Sequence, residues 1–136
     1  MKKIRIVLDT NVWLSGLFWS GKASRIIEYA EDNKIKILVS EKILQEIMEV
    51  LQRDSKFHNF LKEKEQKIKD VTQTIISISE LISSTTKVNV VKEDPDDDII
   101  LETALDGNAQ YILTYDNHLL KLGKFGKIKI IQPEKF

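Results

Sequence analysis

Asp9, Glu46, Asp97 with its neighbour Asp98, and Asp116 are the residues whose type and placing fit one piece of chemistry, the binding of a hard divalent cation by oxygen donors. Asp9 ends the apolar run Ile4 to Leu8, and Asp116 follows a second such run, Tyr111 to Thr114. Short runs of apolar and β-branched residues read as buried strands. Ligands in parallel sheets gather beyond the carboxyl ends of the strands, so both aspartates are expected at one edge. Carboxylates crowded into one pocket repel one another unless some are protonated or a cation neutralises them. Magnesium or manganese in such a pocket retains waters, lowers the pKa of one that attacks a phosphodiester, and stabilises charge developing on the phosphate. The chemistry implied is hydrolytic phosphodiester cleavage.

The elements that would deliver these groups alternate along the chain. Ile4 to Leu8 is the first expected strand. After a loop containing Ser20-Gly21, Ala23 to Glu31 places Ile26, Ile27 and Ala30 at helical spacing, and Ile35 to Val39 reads as a second strand, completing a βαβ unit. Ser40 is the expected N-cap of a helix whose apolar face is Ile43, Leu44, Ile47, Met48 and Leu51, with Glu46 beside that face. Leu61 to Ile82 carries an apolar stripe at roughly seven-residue spacing, predicting one long amphipathic helix or two shorter ones. Val88 to Val91 is a candidate strand. A helix over Ile99 to Leu105 is expected to begin inside the acidic run Glu93 to Asp98 and to stop at Asp106-Gly107-Asn108. A helical turn near His118 to Leu122 and a last strand, Lys127 to Ile131, complete a single α/β domain over residues 1 to 136. Its central sheet is expected to be mainly parallel and flanked by helices. Trp13, Phe18 and Trp19 fall in the loop after the first strand, where aromatics fill the core or an interface more often than they stack on bases.

With 136 residues, 42% of them hydrophobic, the chain can bury a core without disulfides, and it has no cysteine. Thiolate metal sites are excluded. The two histidines, His58 and His118, lie far apart in sequence, and His118 reads as a surface residue more readily than as a group assisting near Asp116. The net charge is zero, which argues against a uniformly basic nucleic-acid surface. Local asymmetry remains: acids gather at residues 93 to 98, and lysines between Lys62 and Lys69 and around Lys121, Lys124, Lys127 and Lys129. No segment reads as a signal peptide or membrane span, so a cytoplasmic location is the default expectation. Asp94, Asp96 and Asp98 alternate as in a calcium-binding EF-hand, but Ile99 and Leu105 stand where that loop needs glycine and glutamate. A phosphoacceptor receiver domain is disfavoured because the first strand lacks paired acids.

Taken together, Leu8-Asp9-Thr10-Asn11-Val12, the helix from Ser40 through Glu46 to Leu51, Asp94-Pro95-Asp96-Asp97-Asp98 before Ile100-Leu101-Glu102-Thr103-Ala104, and Ala109 to Asp116 followed by Leu119-Leu120 resemble the PIN domain. Within that family the chain is similar to the VapC-like ribonuclease toxins of toxin-antitoxin pairs. The resemblance runs from Ile4 to Ile131. It implies Mg2+- or Mn2+-dependent cleavage of RNA, with Asp9, Glu46, Asp97 and Asp116 as metal-binding acids and Asn11 and Thr114 orienting carboxylates or water. Asp98 is an alternative third acid. The resemblance also implies a homodimer and a cognate antitoxin. The chain reads Thr114-Tyr115-Asp116 where the family usually has Thr-Gly-Asp. Two plainer readings stand beside these expectations: Asp9 as no more than a cap for the next element, and a PIN-like binding module without catalysis.

Overall fold

A computed structural model of the chain describes residues 2–54, 64–88 and 95–136. Strand β1 (Ile4–Leu8) lies at the centre of a six-stranded sheet, with Ile6, Val7 and Leu8 fully buried. On one side it pairs in parallel with β2 (Ile35–Val39), on the other with β4 (Tyr111–Leu113). β3 (Ser79–Leu81) extends the sheet beyond β2, and β6 (Ile128–Ile131) extends it beyond β4. The order is β3-β2-β1-β4-β6-β5, parallel throughout except for β5 (Lys124–Phe125), which forms an antiparallel hairpin with β6. Gly126, at φ 61, makes that reversal in a region where a side chain would be strained. The helices among the described residues flank this sheet, so the expected mainly parallel α/β architecture is observed.

Three local expectations are corrected. The aromatic-rich segment after β1 is a helix, α1 (Thr10–Phe18), not a loop. Its apolar residues occur almost all round, so no polar stripe marks it in the sequence, yet tertiary burial of Val12, Trp13 and Leu14 compensates for weak helix formers. Trp13 is in the core as expected, whereas Trp19, just beyond the helix, is 44% exposed. Gly16 allows α2 (Lys22–Glu31) to approach: a Cβ there would lie 2.9 Å from the carbonyl oxygen of Ala23.

The second correction concerns the end of the long stripe. Helix α4 (Lys64–Ile78) buries Ile68 and Ile75, but the chain then becomes β3, with Ser79 opposite Ile37. Leu61 lies outside the described residues. The third is the hairpin strand β5, which the lysine-rich tail conceals. The candidate strand at Val88 to Val91 lies outside the described residues except for Val88, which is not in a strand.

Helix α3 (Glu41–Arg53) begins as expected, the Ser40 hydroxyl accepting from the Ile43 N–H at 3.3 Å. Helix α5 (Pro95–Asp106) starts within the acidic run, with proline in the first turn, where its missing N–H costs nothing. Asn108, at φ 53, lies just past its end. Two α5 carboxylates also hold the segment before the run. Glu102 accepts from the Val88 N–H at 2.9 Å, and Asp106 accepts from the N–H groups of Thr85 and Thr86.

Candidate functional site

β1 and β4 are adjacent and parallel, with Leu8 opposite Leu113, so the residues that follow them emerge side by side. Asp9 follows β1 and is buried. One of its carboxylate oxygens accepts from the Thr10 N–H at 2.7 Å and caps α1; the other accepts from the Thr114 hydroxyl at 2.7 Å. Asp116 caps α6 (Asn117–Leu122), accepting from the His118 N–H at 2.7 Å. The plain capping role therefore holds for both strand-end aspartates. It does not use up the site, because Thr114 ties them together: its hydroxyl donates to Asp9 and accepts the Asp116 N–H at 2.9 Å.

Helix α5 brings its first turn to the same place. Asp97 and Asp98 are both buried. A carboxylate of Asp97, a carboxylate of Asp116 and an imidazole nitrogen of His118 lie within 4.8 Å of one another, a spacing one cation can bridge. Nδ1 of His118 is 3.9 Å from Asp97 Oδ2 and 3.6 Å from Asp116 Oδ1. Among the described residues this is the group of three or more potential ligands so placed; Asp9, Asp98 and Glu46 are outside it, Asp9 being linked to it through Thr114. Glu46 is half-buried on α3, roughly 9 Å along the helix from Ser40. Asn11 is exposed in the first turn of α1.

Tyr115, the bulky replacement between Thr114 and Asp116, is held by the C-terminal turn Pro133–Lys135. Its hydroxyl donates to Glu134 Oε2 at 2.8 Å, and partial burial with the nearby Glu134 carboxylate pushes the phenol up to about 12. The residue is 39% exposed.

A PIN-domain family model matches residues 5–118, which spans both aspartate-bearing strand ends, α3 and α5. The chain belongs to the PIN-domain family. Among solved structures, this PIN domain is similar to a chain of VapBC2 from Rickettsia felis, crystallised with a DNA fragment from the promoter. The TM-score is 0.64 and the identity 14%, over 93% of this chain and 97% of that one. It is also similar to a chain of FitAcB from Neisseria gonorrhoeae, with TM-score 0.55 and identity 17%, over 96% and 99% of the two chains. No curated protein matches it. At these identities the likeness establishes the fold. No helix among the described residues is long and apolar enough to cross a membrane.

Sequence reasoning gave assistance near Asp116 only as the lesser reading of His118; the structure brings this surface histidine to the acid group. Its residue is exposed, so burial gave no signal. The available signal was its spacing two residues beyond the strand-end Asp116, on the first turn that this aspartate caps.

Proposed function

We propose that this PIN domain is a divalent-metal-dependent endoribonuclease and the toxin of a toxin-antitoxin pair. The observation that carries the reading is the meeting of Asp97, Asp116 and His118 within 4.8 Å, beside the buried Asp9. Like charges brought together out of water are costly, and a cation offsets that cost while supplying the electrophile for phosphodiester hydrolysis. The donor set fits Mg2+ or Mn2+. Asp97 and Asp116 would hold the ion, with Asp9 and Glu46 completing the acids and Asp98 adding negative charge. Thr114 would fix the direction of Asp9 and the backbone of Asp116, and Asn11 would orient water or a phosphate oxygen. The ion would lower the pKa of a bound water and stabilise charge on the scissile phosphate.

The toxin assignment rests on family membership together with structural neighbours from VapBC2 and FitAcB. A cognate antitoxin, a homodimer, a single domain over residues 1 to 136 and a cytoplasmic location belong to the same proposal. The test is cleavage of a mixed pool of labelled single-stranded RNA by purified protein with Mn2+, Mg2+ or chelator, alongside Asp9→Asn. Metal-dependent cutting that is lost in the variant supports the nuclease. Equal cutting by the variant removes Asp9 from the site, and no cutting across diverse RNAs favours a binding module.

A further inference from the structure

We infer that His118 is a nitrogen ligand of the metal centre, and that it biases the centre toward transition-metal ions such as Mn2+ over Mg2+. The inference deepens the proposed function and rests on the Asp97–Asp116 group being that centre.

Its basis is the direction of the imidazole. His118 Nδ1, rather than the outer ring nitrogen, faces both carboxylates, at 3.6 Å from Asp116 Oδ1 and 3.9 Å from Asp97 Oδ2. Both distances exceed ordinary hydrogen-bond lengths. They fall between the spacings of ligand atoms around an octahedral cation at about 2.1 Å, about 3 Å for neighbours and about 4.2 Å for opposite ones, so side-chain shifts of roughly half an ångström would bring the groups onto a shared ion. A neutral imidazole protonated at Nε2 presents its Nδ1 lone pair to that gap and its N–H outward.

The backbone fixes this direction. Asp116 accepts from the His118 N–H, so the same carboxylate that faces the imidazole also anchors its peptide. Asp97 approaches from α5, a separate element, and its side chain is only 6% exposed, which sets the inner wall of the gap. The histidine side chain is 44% exposed and closes the outer side.

Imidazole nitrogen is a softer donor than carboxylate, and Mg2+ is the ion that gains least from it. An all-oxygen set serves both ions, whereas one nitrogen in the set separates them. His118 would then decide which cation occupies the site at mixed concentrations, with little change in the acids themselves.

The test is pulsed electron paramagnetic resonance of Mn2+ bound to the wild type, His118→Gln, His58→Gln and Asp97→Asn, with Mn2+ and Mg2+ affinities measured by calorimetry. The expected spectrum has 14N modulation from a directly bound imidazole in the wild type and in His58→Gln, and none in His118→Gln. The ratio of Mn2+ to Mg2+ affinity should fall about tenfold in His118→Gln, the lower end of the roughly 10- to 100-fold losses seen when groups supporting a metal site are altered. Bound Mn2+ without 14N modulation in the wild type, together with lost binding in Asp97→Asn, would overturn the histidine ligand and leave the metal centre standing. Undiminished Mn2+ binding in Asp97→Asn would overturn the centre, and the inference with it.

Discussion

The two ends of the central sheet handle charge in opposite ways. At the end where the strands start, Arg5 on β1 is matched group for group: it bonds Glu80 Oε2 at 2.7 Å and the Gly107 carbonyl at 2.8 Å, and its own N–H is taken by Gln110. Around it, Lys2, Lys3 and Lys36 line an open cleft of about 430 Å3, where water solvates their charge. At the carboxyl end, Asp9, Asp97 and Asp98 are buried, Asp97 beside Asp116 and Asp9 joined to it through Thr114. One end answers its charges with a protein partner at Arg5 and with water at the lysines. The other gathers charges of one sign, a costly arrangement that a fold has no reason to keep unless a cation or substrate answers it. Removing a charge should therefore have opposite consequences at the two ends.

The largest effect is expected at the acid end. Asp97→Asn should reduce metal-dependent RNA cleavage by at least about a hundredfold, the usual scale for removing one electrostatic group from a preorganised site. Without metal its melting temperature should equal or exceed that of the wild type, since like-charge repulsion is relieved. Asp98→Asn should cost less activity, because Asp98 is outside the group that meets His118. Rate and thermal-melt measurements on the pair check this, and equal losses would dissolve the distinction between the two acids.

Thr114→Val should come next, with a fall of roughly ten- to a hundredfold in cleavage, the range typical of residues that orient metal ligands. It also removes the donor to a buried carboxylate oxygen, at a stability cost of about 1–3 kcal/mol. Chemical denaturation alongside kinetics separates the two effects. Full activity in this variant would mean that the Asp9–Thr114 bond serves only the fold.

At the other end, Arg5→Met should leave cleavage unchanged and lower stability by about 1–2 kcal/mol: the solvent-screened ion pair contributes little, and the bond to the Gly107 carbonyl is lost with it. The loss should depend on pH. Its hydrogen bond to Arg5 holds the Glu80 carboxyl below the usual glutamate range. A group with a depressed folded pKa contributes stability above its unfolded value, and that contribution disappears as pH falls through the folded one. Melting curves of wild type and Arg5→Met should thus differ near neutrality and converge in acid. A difference that grows in acid would reverse the assigned sign.

Much of the carboxyl end was legible in the sequence, because an aspartate directly after an apolar β-branched run fixes its own address once the sheet is parallel. Asp9 follows from that rule directly, and Asp116, three residues past the end of β4, follows by extending it through the short turn to α6. The choice between Asp97 and Asp98 was not legible: both are buried in the first turn of α5, and only the helix's orientation brings Asp97 to His118. Helix α1 escaped notice because it is apolar on nearly every side, which removes the stripe that marks a surface helix. β3 was hidden for the opposite reason, since Ile75, Ile78 and Ile82 continue a helical spacing past the point where pairing with β2 takes over. Glu46 illustrates a limit of a different kind: its helix and cap are where the sequence puts them, but the distance from the carboxyl edge depends on how α3 packs.

The most direct test of the account is an anomalous difference map from a crystal of the wild-type protein soaked in Mn2+. The account predicts a peak between the carboxylates of Asp97 and Asp116, within coordination distance of both. Bound manganese that lies elsewhere, with no peak at that pair, would contradict it.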